Sequence, residues 1–254
     1  MLPLDHLVIN TRFDTDAAQQ VFTQLGFTLT PRGYHTLGSI NHAIVFEDHY
    51  LELIGLPADG KTIREEIVAS PLGADGLVFR TDDPAATFDA LQQAGLQASP
   101  PQTFSRPVES LGEARFTTVR LAAGQLPGGR VYFCQHLTPE LVFRDEWRTH
   151  ANGAYALARL HLIDAPEAAY SRLGPLAPGF DLTFWTRAAF DASFGALAQH
   201  VSERAPRFAA ITVRTPQWRE AADRARAAGL PVVTEQARTL IALPRFDTLL
   251  EFIE

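Results

Sequence analysis

Hydrophobic and polar positions along this chain follow a unit that recurs. Residues 4–10 (LDHLVIN) are rich in β-branched side chains and read as a strand. Asp14 or Thr15 can cap a helix in which Ala17, Ala18, Val21, Phe22 and Leu25 recur at helical spacing. Gly26 stops it, because glycine tolerates the left-handed conformation that ends helices. A short strand is expected at 27–30, a turn at Pro31-Arg32-Gly33, and a hairpin of 41–47 and 50–56 joined around Asp48-His49.

The unit returns three times. A strand at 77–81 leads into a helix opened by Asp82-Asp83-Pro84 and closed by Ala94-Gly95. A long loop carrying Pro100, Pro101 and Pro107 follows, then strands at 115–121 and 130–135. The third copy is the least regular, with a strand at 157–163, a helix at 166–173, a strand at 180–185 and an extra helix at 190–200. In the fourth, a strand at 208–214 precedes a helix opened by Pro216 and ended by Ala228-Gly229, then strands at 230–234, 239–243 and 248–253. The polar stretch 144–152 is the expected linker between halves. Several consecutive strands after each helix argue for an α+β fold of repeated βαβββ modules rather than a doubly wound sheet. The expected modules are about 4–56 and 76–137 in a domain spanning 1–145, and about 155–200 and 208–254 in a second half spanning 150–254.

Composition narrows the classes. The 254 residues are 46% hydrophobic, enough for a large core without staples. The net charge is -7 and the 22 basic residues, mostly arginine, are scattered, which argues against nucleic acid as a partner. The single cysteine, Cys134, forms no internal disulfide and no cysteine-based zinc cluster, and it reads as a small buried hydrophobe. No signal peptide and no run of 18 apolar residues is read from the sequence, so a cytoplasmic protein without a membrane partner is expected. No glycine-rich phosphate loop follows a strand, which disfavours a nucleotide site.

The phrases Leu4-Asp5-His6-Leu7-Val8-Ile9, Leu25-Gly26-Phe27, Asn41-His42 and Tyr50-Leu51-Glu52-Leu53-Ile54, in that order, resemble the N-terminal unit of glyoxalase-like proteins of the vicinal oxygen chelate superfamily. Residues 77–81 and 150–154 resemble the same branch. The resemblance implies paired modules whose mixed sheets curl around a ligand cavity, with helices outside. It also implies a divalent metal in many members, held by His or Gln on a unit's first strand and Glu on its last. Lyase, isomerase, dioxygenase and drug-sequestering activities all occur, so the family does not fix the reaction.

Strand alternation puts Leu7, Ile9, Leu51 and Leu53 against the helix, and His6, Val8, Tyr50, Glu52 and Ile54 on the opposite face. A carboxylate among such neighbours needs a partner, since burying it alone costs several kcal/mol. The resemblance nominates His6 and Glu52 as metal ligands, with Glu52 also the catalytic proton carrier. Zn, Mn, Fe or Ni would suit that donor pair equally. Two ligands are few, and the second unit offers Leu77 or Val78 where a His is expected and residues near Phe133 where a Glu is expected. Gln135 or His136 could help after a register shift, or Glu251 if the first and fourth units pair. The competing reading is a structural His6–Glu52 hydrogen bond. Asn41, Tyr50, Arg80 and Arg120 are the expected substrate-binding residues, while His35 and His49 are expected to be solvated. Two functions follow: a metal-assisted lyase, isomerase or dioxygenase, or a metal-free module that binds or sequesters a small molecule. The partner is a small molecule, with a homodimer possible.

Overall fold

The computed structural model describes residues 2–60, 64–109, 111–176 and 179–254. The first module comprises β1 (Leu4–Arg12), α1 (Thr15–Gln24), β2 (Gly33–Tyr34), β3 (Ile40–Val45) and β4 (Tyr50–Gly55), followed by the short α2 (Glu65–Ala69). The second comprises β5 (Gly73–Arg80), α3 (Pro84–Gln93), β6 (Gln102–Val108), β7 (Gly112–Arg120) and β8 (Arg130–His136), followed by α4 (Asp145–Arg148). The third is reduced to β9 (Ala156–Ile163), α5 (Glu167–Ser171), β10 (Asp181–Trp185) and α6 (Arg187–Phe194). The fourth is β11 (Arg207–Arg214), α7 (Ala221–Ala227), β12 (Val232–Thr234), β13 (Thr239–Leu243) and β14 (Thr248–Ile253).

Modules one and two share an eight-stranded mixed sheet, ordered β2-β3-β4-β1-β5-β8-β7-β6. Modules three and four share a six-stranded sheet, ordered β10-β9-β11-β14-β13-β12. The first and fourth units therefore do not pair, and Glu251 lies in a different sheet from Glu52. The eight-stranded sheet curls until its edges meet: the Thr36 amide donates to the Ser105 carbonyl at 2.9 Å.

Side-chain alternation decides which face goes where. Leu7, Ile9, Leu51 and Leu53 join Ala18 and Phe22 of α1, and this core continues into Leu160, Ile211 and Phe252 of the other sheet. Helices α1, α3, α5 and α7 thus lie on the convex faces, but between the two sheets rather than at the periphery, while α2 and α6 pack on the concave sides. Val8, Tyr50, Ile54 and Val78 line the concave side of the first sheet. Gly26 and Gly95, at φ 87 and 70, end α1 and α3. Asp83 caps α3 by accepting from the Ala86 amide at 2.9 Å. Asp14 makes no cap and instead pairs with Arg245 at 2.6 Å.

Some local expectations are corrected. No strand forms at 27–30, and Gly33–Tyr34 is a strand rather than a turn. The proline-bearing loop contains β6, which sits at the sheet edge, where Pro107 costs no ladder hydrogen bond in the interior. The polar stretch 144–152, the linker candidate, packs against the first module. His150 Nδ1 accepts from the Thr28 amide at 3.0 Å while Nε2 donates to the Val45 carbonyl at 3.1 Å, and Asn152 Nδ2 donates to the Leu25 carbonyl at 3.0 Å.

Candidate small-molecule site

The concave side of the eight-stranded sheet encloses a cavity of about 40 Å³. His6, Asn41, Tyr50, Glu52 and Arg120 line it, as do His35, Arg64, Arg106, Arg130, Tyr132 and Cys134. His6 Nε2 lies 3.8 Å from Glu52 Oε2. Asn41 Nδ2 donates to Glu52 Oε1 at 2.7 Å, and the Tyr50 ring stacks on His6 with centroids 4.3 Å apart. Alternation alone delivers these residues: Val8 pairs with Glu52 across the parallel β1–β4 ladder and Ala43 pairs with Glu52 across β3–β4.

Arg80 does not reach the cavity. It is the last residue of β5, and its guanidinium lies over the Phe143 ring at 5.3 Å and bonds Asp5 and the Asp48 carbonyl. His49 is not solvated: its Nε2 accepts from the Leu157 amide at 2.8 Å, tying the first hairpin to β9. Gln135 points away and donates to the Asp82 carbonyl. The second unit offers Val78 and Cys134 to the cavity side, while Leu77 and Phe133 face the helices.

The sequence reading missed Asp5, whose importance comes from a bulge. The β1–β5 register slips between Leu4 and His6, so Asp5 and its neighbour come together. His6 Nδ1–H donates to Asp5 at 2.6 Å, and His136 Nε2–H donates to the same carboxylate at 3.0 Å. Asp5 is fully buried, and burial alone would raise its pKa. The two histidines outweigh that and hold it far below the ordinary carboxylate range. An ionised Asp5 can only accept, which fixes the His6 tautomer and leaves Nε2 facing the cavity. There the Tyr132 hydroxyl donates to it at 3.2 Å. Burial would raise the pKa of Glu52, but His6, His35 and the Asn41 amide turn the net shift downward. Burial drives the His35 pKa down to about 4, with Arg106, Arg64 and Arg120 adding to it against the pull of Glu52.

Arg106 is the other residue the reading missed. It comes from β6, is 4% exposed, and lines the cavity. Among the described residues it makes no hydrogen bond or ion pair. Burial lowers its pKa, partly offset by Tyr50 and Glu52. Gly33 makes room for it: a Cβ there would lie 2.3 Å from Asn41 Oδ1 and 2.8 Å from Arg106 Cδ. The other guanidiniums are engaged. Arg64 bonds Glu66, Arg120 donates to Glu66 at 2.7 Å, and Arg130 donates to Asp75 at 2.5 Å. Arg130 Nη2 is nevertheless buried without an acceptor.

These donors bear on a metal. Asp5, Cys134 and His136 bring three potential ligand atoms within 4.8 Å of one another. Asp5 is already bonded by His6, His136 and Arg80, and burial raises the Cys134 thiol well above its ordinary range, keeping it protonated. Around His6 and Glu52 the remaining polar groups are His35, Asn41, Thr118, two tyrosines and a cysteine whose pKa values burial raises, and four arginines; among the described residues His6, His35 and Glu52 do not bring three ligand atoms within 4.8 Å of one another. That set does not fit a resident divalent cation, which needs deprotonated ligands and negative surroundings. Among the described residues, its buried unsatisfied side-chain atom is an N–H donor, Arg130 Nη2.

Two curled sheets of paired βαβββ-type modules, one closed around a polar cavity, define a vicinal-oxygen-chelate type of α+β protein. The chain belongs to the glyoxalase-like domain family, whose model matches residues 4–176. No curated protein matches it. Solved structures share the fold at low identity. A hypothetical protein from Staphylococcus aureus aligns over 99% of both chains with TM-score 0.69 and 11% identity. A mutant 4-hydroxymandelate synthase from Streptomyces coelicolor aligns over 100% of this chain and 93% of its own, with TM-score 0.58 and 14% identity. A catechol 2,3-dioxygenase aligns over 99% and 92%, with TM-score 0.51 and 12% identity. Among the described residues no helix is long and apolar enough to cross a membrane.

Proposed function

We propose that the N-terminal cavity binds a small organic anion without a resident metal, and that His6 and Glu52 move a proton on it. The observation carrying this is Arg106, a residue 4% exposed that lines the cavity and, among the described residues, has no carboxylate in ion-pair contact. A buried cation only partly offset by Glu52 is costly, and a carboxylate ligand would lower that cost through paired N–H···O bonds. The proton-transfer role rests on the Asp5–His6 contact, which presents Nε2 to the cavity beside Glu52. Nε2 lies 3.8 Å from Glu52 Oε2 and 3.2 Å from the Tyr132 hydroxyl, within reach of both.

The test is calorimetric titration of the full chain with acetate, glycolate and pyruvate. One site per chain is expected, lost in Arg106→Gln. Elemental analysis of protein purified without a metal column should show substoichiometric zinc, manganese, iron and nickel. One tightly held ion per chain, released by Glu52→Gln, would reverse the reading in favour of metal-assisted lyase, isomerase or dioxygenase chemistry.

A further inference from the structure

The cavity is too small for most organic molecules. A volume of about 40 Å³ holds only a few water-sized groups, since one water needs roughly 10–15 Å³ by this measure. A carboxylate head fits; a ring or chain attached to it does not. Directly beside the cavity lies a groove of about 560 Å³ between the two halves. The two spaces share Arg120, Arg130 and Tyr132 as a common wall.

The charges in the groove repeat the imbalance seen in the cavity. Its carboxylates are engaged: Glu66 bonds Arg64 and Arg120, and Asp75 bonds Arg130. Arg204, from the other half of the chain, also lines the groove. Among the described residues it has no carboxylate within ion-pair distance. Its Nη1 makes one long contact, 3.5 Å, to the Pro206 carbonyl, and its Nη2 is buried without a partner. Arg130 Nη2, in the shared wall, is likewise an orphan. Buried donors without acceptors are rare in folded proteins, because each forfeits its hydration. Here they lie at Arg130 in the shared wall and at Arg204 in the groove, while Arg106 lines the cavity on the other side of that wall.

We infer that the ligand is an elongated organic dianion: a carboxylate head at Arg106, a body crossing the shared wall, and a second anionic group received by Arg204. This rests on the anion reading of the cavity and extends it to a substrate class. Arg120 and Arg130, tethered by Glu66 and Asp75, flank the crossing point. The groove provides the space that the cavity denies to the rest of the molecule. The second anionic group is a carboxylate or a phosphate-type oxyanion, both of which a guanidinium fork binds in two-point fashion.

The experiment is calorimetric titration of the full chain with succinate, adipate and suberate, against butyrate, hexanoate and octanoate as one-charge controls. Matched ω-phosphonocarboxylates distinguish the two kinds of second anion. The dianions should bind about tenfold tighter than their controls at one preferred length, since a second contact made within one molecule is entropically favoured only when the span matches. Arg204→Gln should erase that advantage. Equal affinity of dianion and control at every length overturns the inference, as does an advantage that survives Arg204→Gln, or a failure of all the dianions to bind. The underlying site reading fails separately, if butyrate binding persists in Arg106→Gln. Should that variant melt much lower than the parent, Arg106→Lys keeps the charge without the fork and should still weaken the controls several-fold.

Discussion

The two halves of the molecule each set a histidine and a glutamate on the concave face of a curled sheet, yet they treat that face differently. In the N-terminal half the pair is His6 and Glu52, and space remains beside it. In the C-terminal half His161 Nε2 donates to Glu251 at 3.2 Å, the Thr212 hydroxyl donates to the same carboxylate at 2.6 Å, and Arg238 donates to its other oxygen at 2.9 Å. The Trp185 indole donates to His161 Nδ1 at 3.0 Å, completing the set. Among the described residues no orphaned donor is left around Glu251. The third module lost two strands, and α6 with the turn after it fills the hollow: Phe190, Phe194, Leu197 and Ala198 pack against Ala210, Leu240 and Leu249. The same architecture therefore yields a stability device in one half and an unsatisfied, cationic hollow in the other. Polar pairs on facing strands do not by themselves make a site. What distinguishes the halves is whether every donor already has an acceptor.

The comparison breaks most visibly if the sealed half is opened. Phe194→Ala removes a side chain 1% exposed, stacked on Phe190 at 4.2 Å, and should cost about 3–5 kcal/mol in urea denaturation. The half-buried Phe104, beside the open cavity, should cost roughly 1 kcal/mol when cut to alanine, because its far side already lacks packing partners. Equal costs would mean that the two hollows are not differently filled. Next in size, Glu251→Ala removes the acceptor shared by Arg238, His161 and Thr212 and should destabilise by about 2–3 kcal/mol, at the foot of the range for broken buried pairs because Arg238 is 20% exposed and keeps Glu235, and His161 keeps Thr212. Burial would raise the Glu251 pKa, but His161, Thr212 and Arg238 lower it from the ordinary 4.5 to about 2. A depressed carboxylate contributes stability that is fully present above 4.5 and is lost as pH falls through 2. The parent should therefore lose stability over that window more steeply than Glu251→Ala, as melting temperature against pH would show.

Much of this was legible in the sequence, and the failures have physical causes. Alternation placed His6, Tyr50 and Glu52 on one face because one-residue slips are costly where the other face carries Leu7, Ile9, Leu51 and Leu53. Helix ends were legible because Gly26, Gly95 and Gly229 sit at positive φ after α1, α3 and α7. What escaped were features set by long-range geometry. β6 was hidden behind its prolines, since an edge strand tolerates what a central one does not, and Arg106 went with it. Asp5 reads as a strand residue facing away from His6 until the bulge turns the two together. The sealing of Glu251 depended on Arg238, thirteen residues away and just before the neighbouring strand. No spacing rule announces that pairing without knowing that β13 lies beside β14.

Smaller effects should appear in the open half, and in ligand affinity rather than stability. Gly33→Ala would push against Asn41 and Arg106 and should weaken acetate binding by about tenfold, a loss of roughly 1.4 kcal/mol. The measurement is calorimetry, and a variant binding as the parent does would show that Arg106 is not held in place through this contact.

The finest test concerns Glu52 itself. If the cavity is cationic by design of its arginines, Glu52 is its one opposing charge, and a carboxylate ligand must enter against it. Glu52→Gln keeps the shape and can retain a hydrogen bond with Asn41. It should alter folding stability by no more than about 1–3 kcal/mol, the range for a changed buried hydrogen bond. At the same time it should tighten acetate binding several-fold, because the ligand no longer meets a like charge in a poorly screened space. Proton transfer to or from a bound ligand, read as exchange of an acidic C–H proton with deuterated water, should fall in the same variant. Tighter binding with slower exchange separates a proton carrier in an anion site from a metal ligand, whose loss would weaken both. Weaker acetate binding in Glu52→Gln would sink the electrostatic account and leave His6 and Glu52 as the ligand-holding groups.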